Sequence, residues 1–265
     1  MTLTFSGLTA QQRETLDDRG LLRIPGFLAR TAADAMADTV WRDLERRFGV
    51  QRRDRSTWTH ERPSDFKALS RSGAFQAMDT PELRALLDDL LGRDAWTPPP
   101  YWGQPLVCFP TDHGRWDVPA KNWHLDLPAD PKRFAAMTGR LFLVLAPLAA
   151  RGGGTLVVEG SHRLVLDIAR RSGDQLTSSA IRKRLQSDHR WFGDLLAPTP
   201  DLNRIARFMA APTVVNGVSV QVTEITGDPG DLWLMHPAAL HTLAPNVLDT
   251  PRLVLAEFVY PKDEV

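Results

Sequence analysis

The sequence predicts a mainly β fold, a sandwich or barrel of short strands with helices flanking it. Three observations carry this. From residue 98 onward, seven or eight short apolar or alternating runs are separated by glycine and proline. Before residue 98, apolar residues recur at helical spacing behind capping signals. Between residues 163 and 212 the strand pattern stops and helical spacing returns.

The elements follow in order. Thr9 with Gln12 makes a capping box, so a helix should run to about Asp18, where Gly20 stops it. Leu21 to Phe27 reads as a short strand and turn. Thr31 with Asp34 marks the start of a second helix, with Met36, Val40, Leu44 and Phe48 as its apolar stripe. Residues 50–64 are polar and rich in arginine, as in a surface loop. Thr80-Pro81 places a cap residue before a proline at the first helical position. Leu83, Leu86, Leu87, Leu90 and Leu91 follow at helical spacing, and Gly92 ends the run. These stripes read as core.

Pro98-Pro99-Pro100 is a break. Leu106 to Phe109 reads as a strand, and a second strand carries Asn122-Trp123-His124-Leu125-Asp126. Leu141 to Leu145 is uniformly apolar, as in a strand buried on both faces. Gly152-Gly153-Gly154 turns into the strand Thr155 to Val158, which Gly160-Ser161-His162 ends. Ser219 to Ile225 alternates with period two. Gly230-Asp231 leads into Leu232 to Met235, and Arg252 to Tyr260 is the last strand. The insertion, 163–212, holds nine basic residues against five acidic ones, a formal charge of +4. Its length suits a lid or binding wall as well as a solvated decoration.

The 265 residues are read as one domain: a helical support (1–97), a strand core (98–162 and 213–265) and the helical insertion. Hydrophobic content of 43% and charged content of 24% fit a soluble globular protein. A net charge of zero argues against a general grip on nucleic acid or an anionic membrane. The single cysteine, Cys108, allows no intramolecular disulfide and disfavours a Cys-ligated zinc site. Met1-Thr2-Leu3-Thr4-Phe5 has no basic leader character, and no eighteen-residue apolar run occurs. A cytoplasmic protein with a small-molecule partner is expected.

His124 and Asp126 are two apart, so on a strand they share a face. Such a pair supplies two of the three ligands of a 2-His-1-carboxylate site, which holds non-haem Fe(II) and leaves positions open. By itself a His-x-Asp pair is a weak signal. The third ligand must be a distant histidine: His60, His113, His162, His189, His236 or His241. His241 stands out because Arg252 follows it by eleven residues. 2-Oxoglutarate chelates iron at one end, and its far carboxylate needs a buried guanidinium. His236 is the rival ligand, but its spacing to Arg252 is less suitable.

Three stretches together resemble the phytanoyl-CoA dioxygenase family: Asn122 to Asp126, Gly154 to His162, and Gly230 to Arg252. The opening, a helix leading into Gly20 to Leu28, is similar too. The likeness covers roughly residues 8–260, without most of 163–218. It implies a double-stranded β-helix (jelly-roll) core and an Fe(II)/2-oxoglutarate-dependent oxygenase that uses O2 and releases succinate and CO2. It implies His124, Asp126 and His241 as iron ligands and Arg252 as the 2-oxoglutarate anchor. Members often carry Ser or Thr two positions after the distal histidine. Here Leu243 stands there, and Thr155 is the candidate to supply the hydroxyl. Halogenating members lack the carboxylate ligand, so Asp126 favours hydroxylation or a related oxidation. By strand alternation Asn122 faces with the ligands and is a substrate candidate, whereas Trp123 faces away. His162 reads as structural, and Trp102, Trp116 and Trp233 as core or rim. The alternatives are a non-redox cupin-like isomerase, although its usual His-x-His is absent, or a non-catalytic ligand-binding jelly roll.

Overall fold

The computed structural model describes residues 7–111, 115–130, 139–199 and 201–262. The first five residues, read above for a leader, and His113 lie outside them.

The support begins as the capping box dictates. Helix α1 (Ala10–Arg19) starts at Thr9, whose hydroxyl accepts from the Gln12 N–H while the Gln12 side chain accepts from the Thr9 N–H. Gly20, at φ 66°, ends it in the left-handed region. Strand β1 (Leu21–Ile24) follows. Helix α2 (Arg30–Phe48) starts one residue before Thr31 and has no side-chain cap at Ala29. The expected Thr31 cap is therefore a correction: the entry is held by the Leu28 N–H on the Gly230 carbonyl at 2.9 Å, a contact between segments far apart in sequence. A short helix α3 (Lys67–Arg71) precedes α4 (Pro81–Leu91), which Thr80 caps as read.

The core strands are β2 (Gln104–Cys108), β3 (Gly139–Val144), β4 (Thr155–Glu159), β5 (Thr213–Val215), β6 (Val218–Glu224), β7 (Leu232–Met235), β8 (His241–Leu243) and β9 (Arg252–Val259). They form two antiparallel sheets, ordered β1-β7-β3-β9-β2 and β5-β6-β4-β8. The chain passes back and forth between the sheets, which is the jelly-roll arrangement. β5 and β8 are too short for a periodic signal and were not anticipated.

Between β4 and β5 the insertion forms α5 (Ser161–Ser172), α6 (Ser178–Asp188), α7 (Arg190–Leu196) and α8 (Arg204–Phe208). It starts two residues earlier than read: Gly160-Ser161-His162 opens a helix instead of closing a turn. Gly160 adopts φ 77°, and a Cβ there would collide with the Ser219 carbonyl oxygen.

Strand alternation sorts the side chains into layers. Leu141, Leu143, Leu232, Leu234, Leu253 and Leu255 leave the larger sheet outward and pack on the N-terminal helices. Leu156, Val158, Val220 and Val222 leave the smaller sheet outward and pack on the insertion helices. Phe142, Val144, Val157, Trp233, Met235, Val254 and Ala256 fill the space between the sheets. Among the described residues, no helix is long and apolar enough to cross a membrane.

Candidate metal centre

The segment bearing His124 is not a strand. It touches β8 through one bridge, with the His124 N–H on the His241 carbonyl at 2.9 Å and the reverse bond at 3.0 Å. Alternation nevertheless survives over four residues. Trp123 and Leu125 are buried in the outer core, while His124 and Asp126 turn inward. It fails at Asn122, which sits at φ 64° with an exposed side chain. What Asn122 offers the centre is its carbonyl oxygen, which accepts from His124 Nδ1 at 2.8 Å.

The insertion holds this segment from outside. Ser178 Oγ accepts the Leu125 N–H at 2.9 Å, and Ala129 and Leu176 exchange backbone bonds at 2.7 Å. Buried Arg204 donates to the carbonyls of Val118 (2.6 Å) and Pro119 (3.0 Å) and also to Leu195 (2.6 Å) within its own insertion. Trp123 Nε1 closes the loop on the Pro119 carbonyl at 2.7 Å. Of the Arg182-Lys183-Arg184 run, Arg182 is half-buried and the other two are exposed, as helical splay requires.

His241 opens β8 opposite Val157, and residues directly opposite in an antiparallel pair share a face. Its side chain therefore enters the space between the sheets. Its Nδ1 donates to the Ala239 carbonyl at 3.0 Å. A carbonyl can only accept, so both histidines donate through Nδ1 and turn Nε2 toward the cluster, the usual arrangement of a metal ligand. His241 Nε2 lies 3.3 Å from Asp126 Oδ2, and His124 Nε2 lies 3.7 Å from Asp126 Oδ1. One donor atom from each residue falls within 4.8 Å of the others. Ligands about 2 Å from one ion and roughly at right angles stand about 3 Å apart, so a small contraction would close the set on a metal.

The electrostatics agree. Burial, then the neighbouring His241, lowers the His124 pKa, which favours the neutral ligand form. Burial alone would raise Asp126; close contact with His241, then Arg140 and His124, outweighs it and holds the carboxyl at about 2.

Arg252 opens β9 opposite Cys108 and on the same face as Val254, so it points into the space between the sheets. It is 3% exposed, and its Nε and Nη1 have no hydrogen-bond partner among the described residues. Burial lowers its pKa to about 10, which leaves it cationic at neutral pH. A buried guanidinium with idle donors is costly unless an anion completes it. Asn246 sets the approach to it: Nδ2 donates to the Cys108 and Thr250 carbonyls, and Oδ1 accepts from Leu248 N–H. Thr155 is buried, faces inward and stands opposite Leu243.

His236 is not part of the cluster. It packs on His162 with ring centroids 4.7 Å apart, and His162 Nε2 donates to the Asp17 carbonyl at 2.9 Å. His162 is structural, as read. Burial, then His162, pushes His236 down to about 3, and burial likewise lowers His162. The folded pair is therefore neutral, while unfolded histidines titrate near about 6.5. Between about 6.5 and 3 the unfolded chain binds more protons. Stability should thus be full above about pH 6.5 and fall as pH drops through this window, by on the order of a few kcal/mol. Urea midpoints from pH 7 to 4 should show that slope, flattened in His236→Gln; equal slopes in both proteins would exclude the pair as its source.

Arg140, Arg204, Ser178 and Asn246 were not singled out from sequence. Only Arg140 carried a signal, as a charge at the head of a strand otherwise apolar. The buried tryptophans 102, 116 and 233 are core.

No family model matches the chain, and no curated protein matches it. Solved structures do. HygX from Streptomyces hygroscopicus, with nickel and 2-oxoglutarate bound, aligns over 96% of this chain and 88% of its own at 16% identity and a TM-score of 0.54. The non-heme alpha ketoglutarate dependent carbocyclase SnoK from nogalamycin biosynthesis aligns over 96% and 84% at 15% identity and a TM-score of 0.52. The epimerase SnoN from the same biosynthesis aligns over 95% and 82% at 19% identity and a TM-score of 0.51. At these identities the likeness establishes a shared fold: two antiparallel sheets in a jelly roll with helices outside.

Proposed function

We propose that this chain is an Fe(II)/2-oxoglutarate-dependent oxygenase of the phytanoyl-CoA dioxygenase type, hydroxylating a small molecule. The observation that carries it is the convergence of two imidazole nitrogens and one carboxylate in a fold that also buries an inward arginine with idle donors. His124, Asp126 and His241 would hold the metal on one side and leave positions open on the other. Arg252 would take the far carboxylate of 2-oxoglutarate, with Thr155 beside it. Bound there with O2, iron and 2-oxoglutarate supply oxidation of a C–H bond with release of succinate and CO2. The residues of the chain fix geometry and keep water from the buried end. HygX, whose structure holds nickel and 2-oxoglutarate, supports the cofactor pair. SnoK and SnoN are a carbocyclase and an epimerase, so their fold serves more than one outcome of such chemistry.

The test is anaerobic loading with Fe(II) and 2-oxoglutarate, then admission of O2. Slow substrate-free formation of succinate should appear in the wild type and vanish in His241→Ala. A protein that takes up neither metal nor 2-oxoglutarate, and makes no succinate, is not an oxygenase.

A further inference from the structure

The pocket holds a second inward cation that the metal and the cosubstrate leave unexplained. Arg140 heads β3 on the same face as Phe142. Its Nε stands 3.2 Å from Asp126 Oδ2, close enough for an ion pair but badly aligned, so neither atom has a hydrogen bond among the described residues. Its guanidinium carbon lies 4.0 Å from the Phe258 ring centre and 4.8 Å from that of Phe142. Two aromatic rings thus hold a cation beside a ligand carboxylate, with only 11% of its side chain exposed.

The position is at the mouth. The His124 side chain is 48% exposed and that of Asp126 19%, against 5% for His241. Substrate must enter on the His124–Asp126 side, where Arg140 sits, and not from the Arg252 end. Charge points the same way. A divalent ion would take over Asp126, which among the described residues is the ion-pair partner of Arg140. Glu257 attracts Arg140 from the other face of β9, where the N–H groups of Gly103 (2.6 Å) and Phe258 (2.9 Å) hold its carboxylate.

Beside Asp126, the neighbours of Arg140 include the rings of Phe142 and Phe258. Phe258 stacks on Tyr260 with centroids 5.7 Å apart and planes 18° apart. These two rings, with Glu257 at their edge, border a cavity of about 350 Å³ whose other lining residues are Thr97, Pro98, Pro99, Pro100 and Tyr101. We infer that Arg140 is the substrate-recognition residue, and that the substrate carries a carboxylate, bound by Arg140, on an apolar ring body that lies along Phe258 and Tyr260. This rests on the oxygenase reading above, and the role goes beyond holding Asp126.

The experiment uses the full chain loaded anaerobically with Fe(II) and saturating 2-oxoglutarate, so that Arg252 is occupied. Benzoate and 2-naphthoate, and their primary amides, are titrated by calorimetry; metal and 2-oxoglutarate affinities are measured on the same samples. The wild type should bind the carboxylates at least tenfold more tightly than the amides. Arg140→Leu should lose that discrimination, and Arg140→Lys should keep part of it, since the charge survives without the planar fork. Three results overturn the inference while leaving the oxygenase reading intact: a loaded wild type that binds no carboxylate, equal binding of carboxylate and amide, or carboxylate binding unchanged in Arg140→Leu. Arg140→Leu that loses metal affinity in step with carboxylate affinity would make the residue a support of Asp126 only. A wild type that takes neither metal nor 2-oxoglutarate defeats both readings together.

Discussion

His241→Ala is expected to lower metal affinity by more than about 100-fold and to bring 2-oxoglutarate turnover below detection. Loss of an outer partner of a ligand already costs about 10–100-fold, and here the ligand itself goes. The geometry separates this from unfolding. The bridge between His124 and His241 uses backbone groups, with bonds of 2.9 and 3.0 Å, and alanine keeps both. Removing the imidazole also removes the close neighbour that holds Asp126 near 2, so the carboxyl pKa should rise. Equilibrium dialysis against Fe(II) or Mn(II), beside circular dichroism and a urea melt, checks it. A folded His241→Ala protein with full metal content would sink the ligand assignment, and loss of metal in His236→Ala instead would move it to the buried histidine pair.

Arg252 should show two effects of opposite sign. Without an anion, the buried guanidinium has Nε and Nη1 unpaired among the described residues, so Arg252→Met should leave the cosubstrate-free protein as stable or stabilise it by on the order of 1–4 kcal/mol. The same change should weaken 2-oxoglutarate by roughly 10- to 100-fold or more, since one hydrogen bond to a charged group is worth about 1.5–3 kcal/mol. Arg252→Lys should rescue little, because an ammonium cannot match both carboxylate oxygens. Urea midpoints with and without 2-oxoglutarate read both effects in one series. The wild type should gain stability from 2-oxoglutarate and Arg252→Met should not. An Arg252→Met protein that is destabilised yet keeps its affinity for 2-oxoglutarate would make the arginine a structural member of the core.

The insertion acts on the centre through the loop it holds. Arg204 and Ser178 bind backbone groups of residues 118–125 from outside the barrel. The basic face of the insertion is mostly exposed at Lys183 and Arg184.

The sequence by itself determined what local chemistry can encode. The capping box at Thr9, the proline after Thr80 and the glycines at 20 and 92 set helix ends because each acts within one turn of chain. Alternation in β6 and the apolar run of β3 set which side chains are buried, because strand pleat has period two. The His-x-Asp pair and the arginine eleven residues after His241 mark candidate residues by type and spacing alone, and the structure brings His124, Asp126 and His241 together. Tertiary structure decided the rest. The short β8 is a strand only because β4 lies beside it, and the start of α2 follows a bond to Gly230. His241 and not His236 joins His124 because β4–β8 register turns His241 inward, whereas His236 lies against His162. Arg140 meets Asp126 only when β3 takes its place in the sheet: sheet register is a property of paired strands, and no single segment carries it.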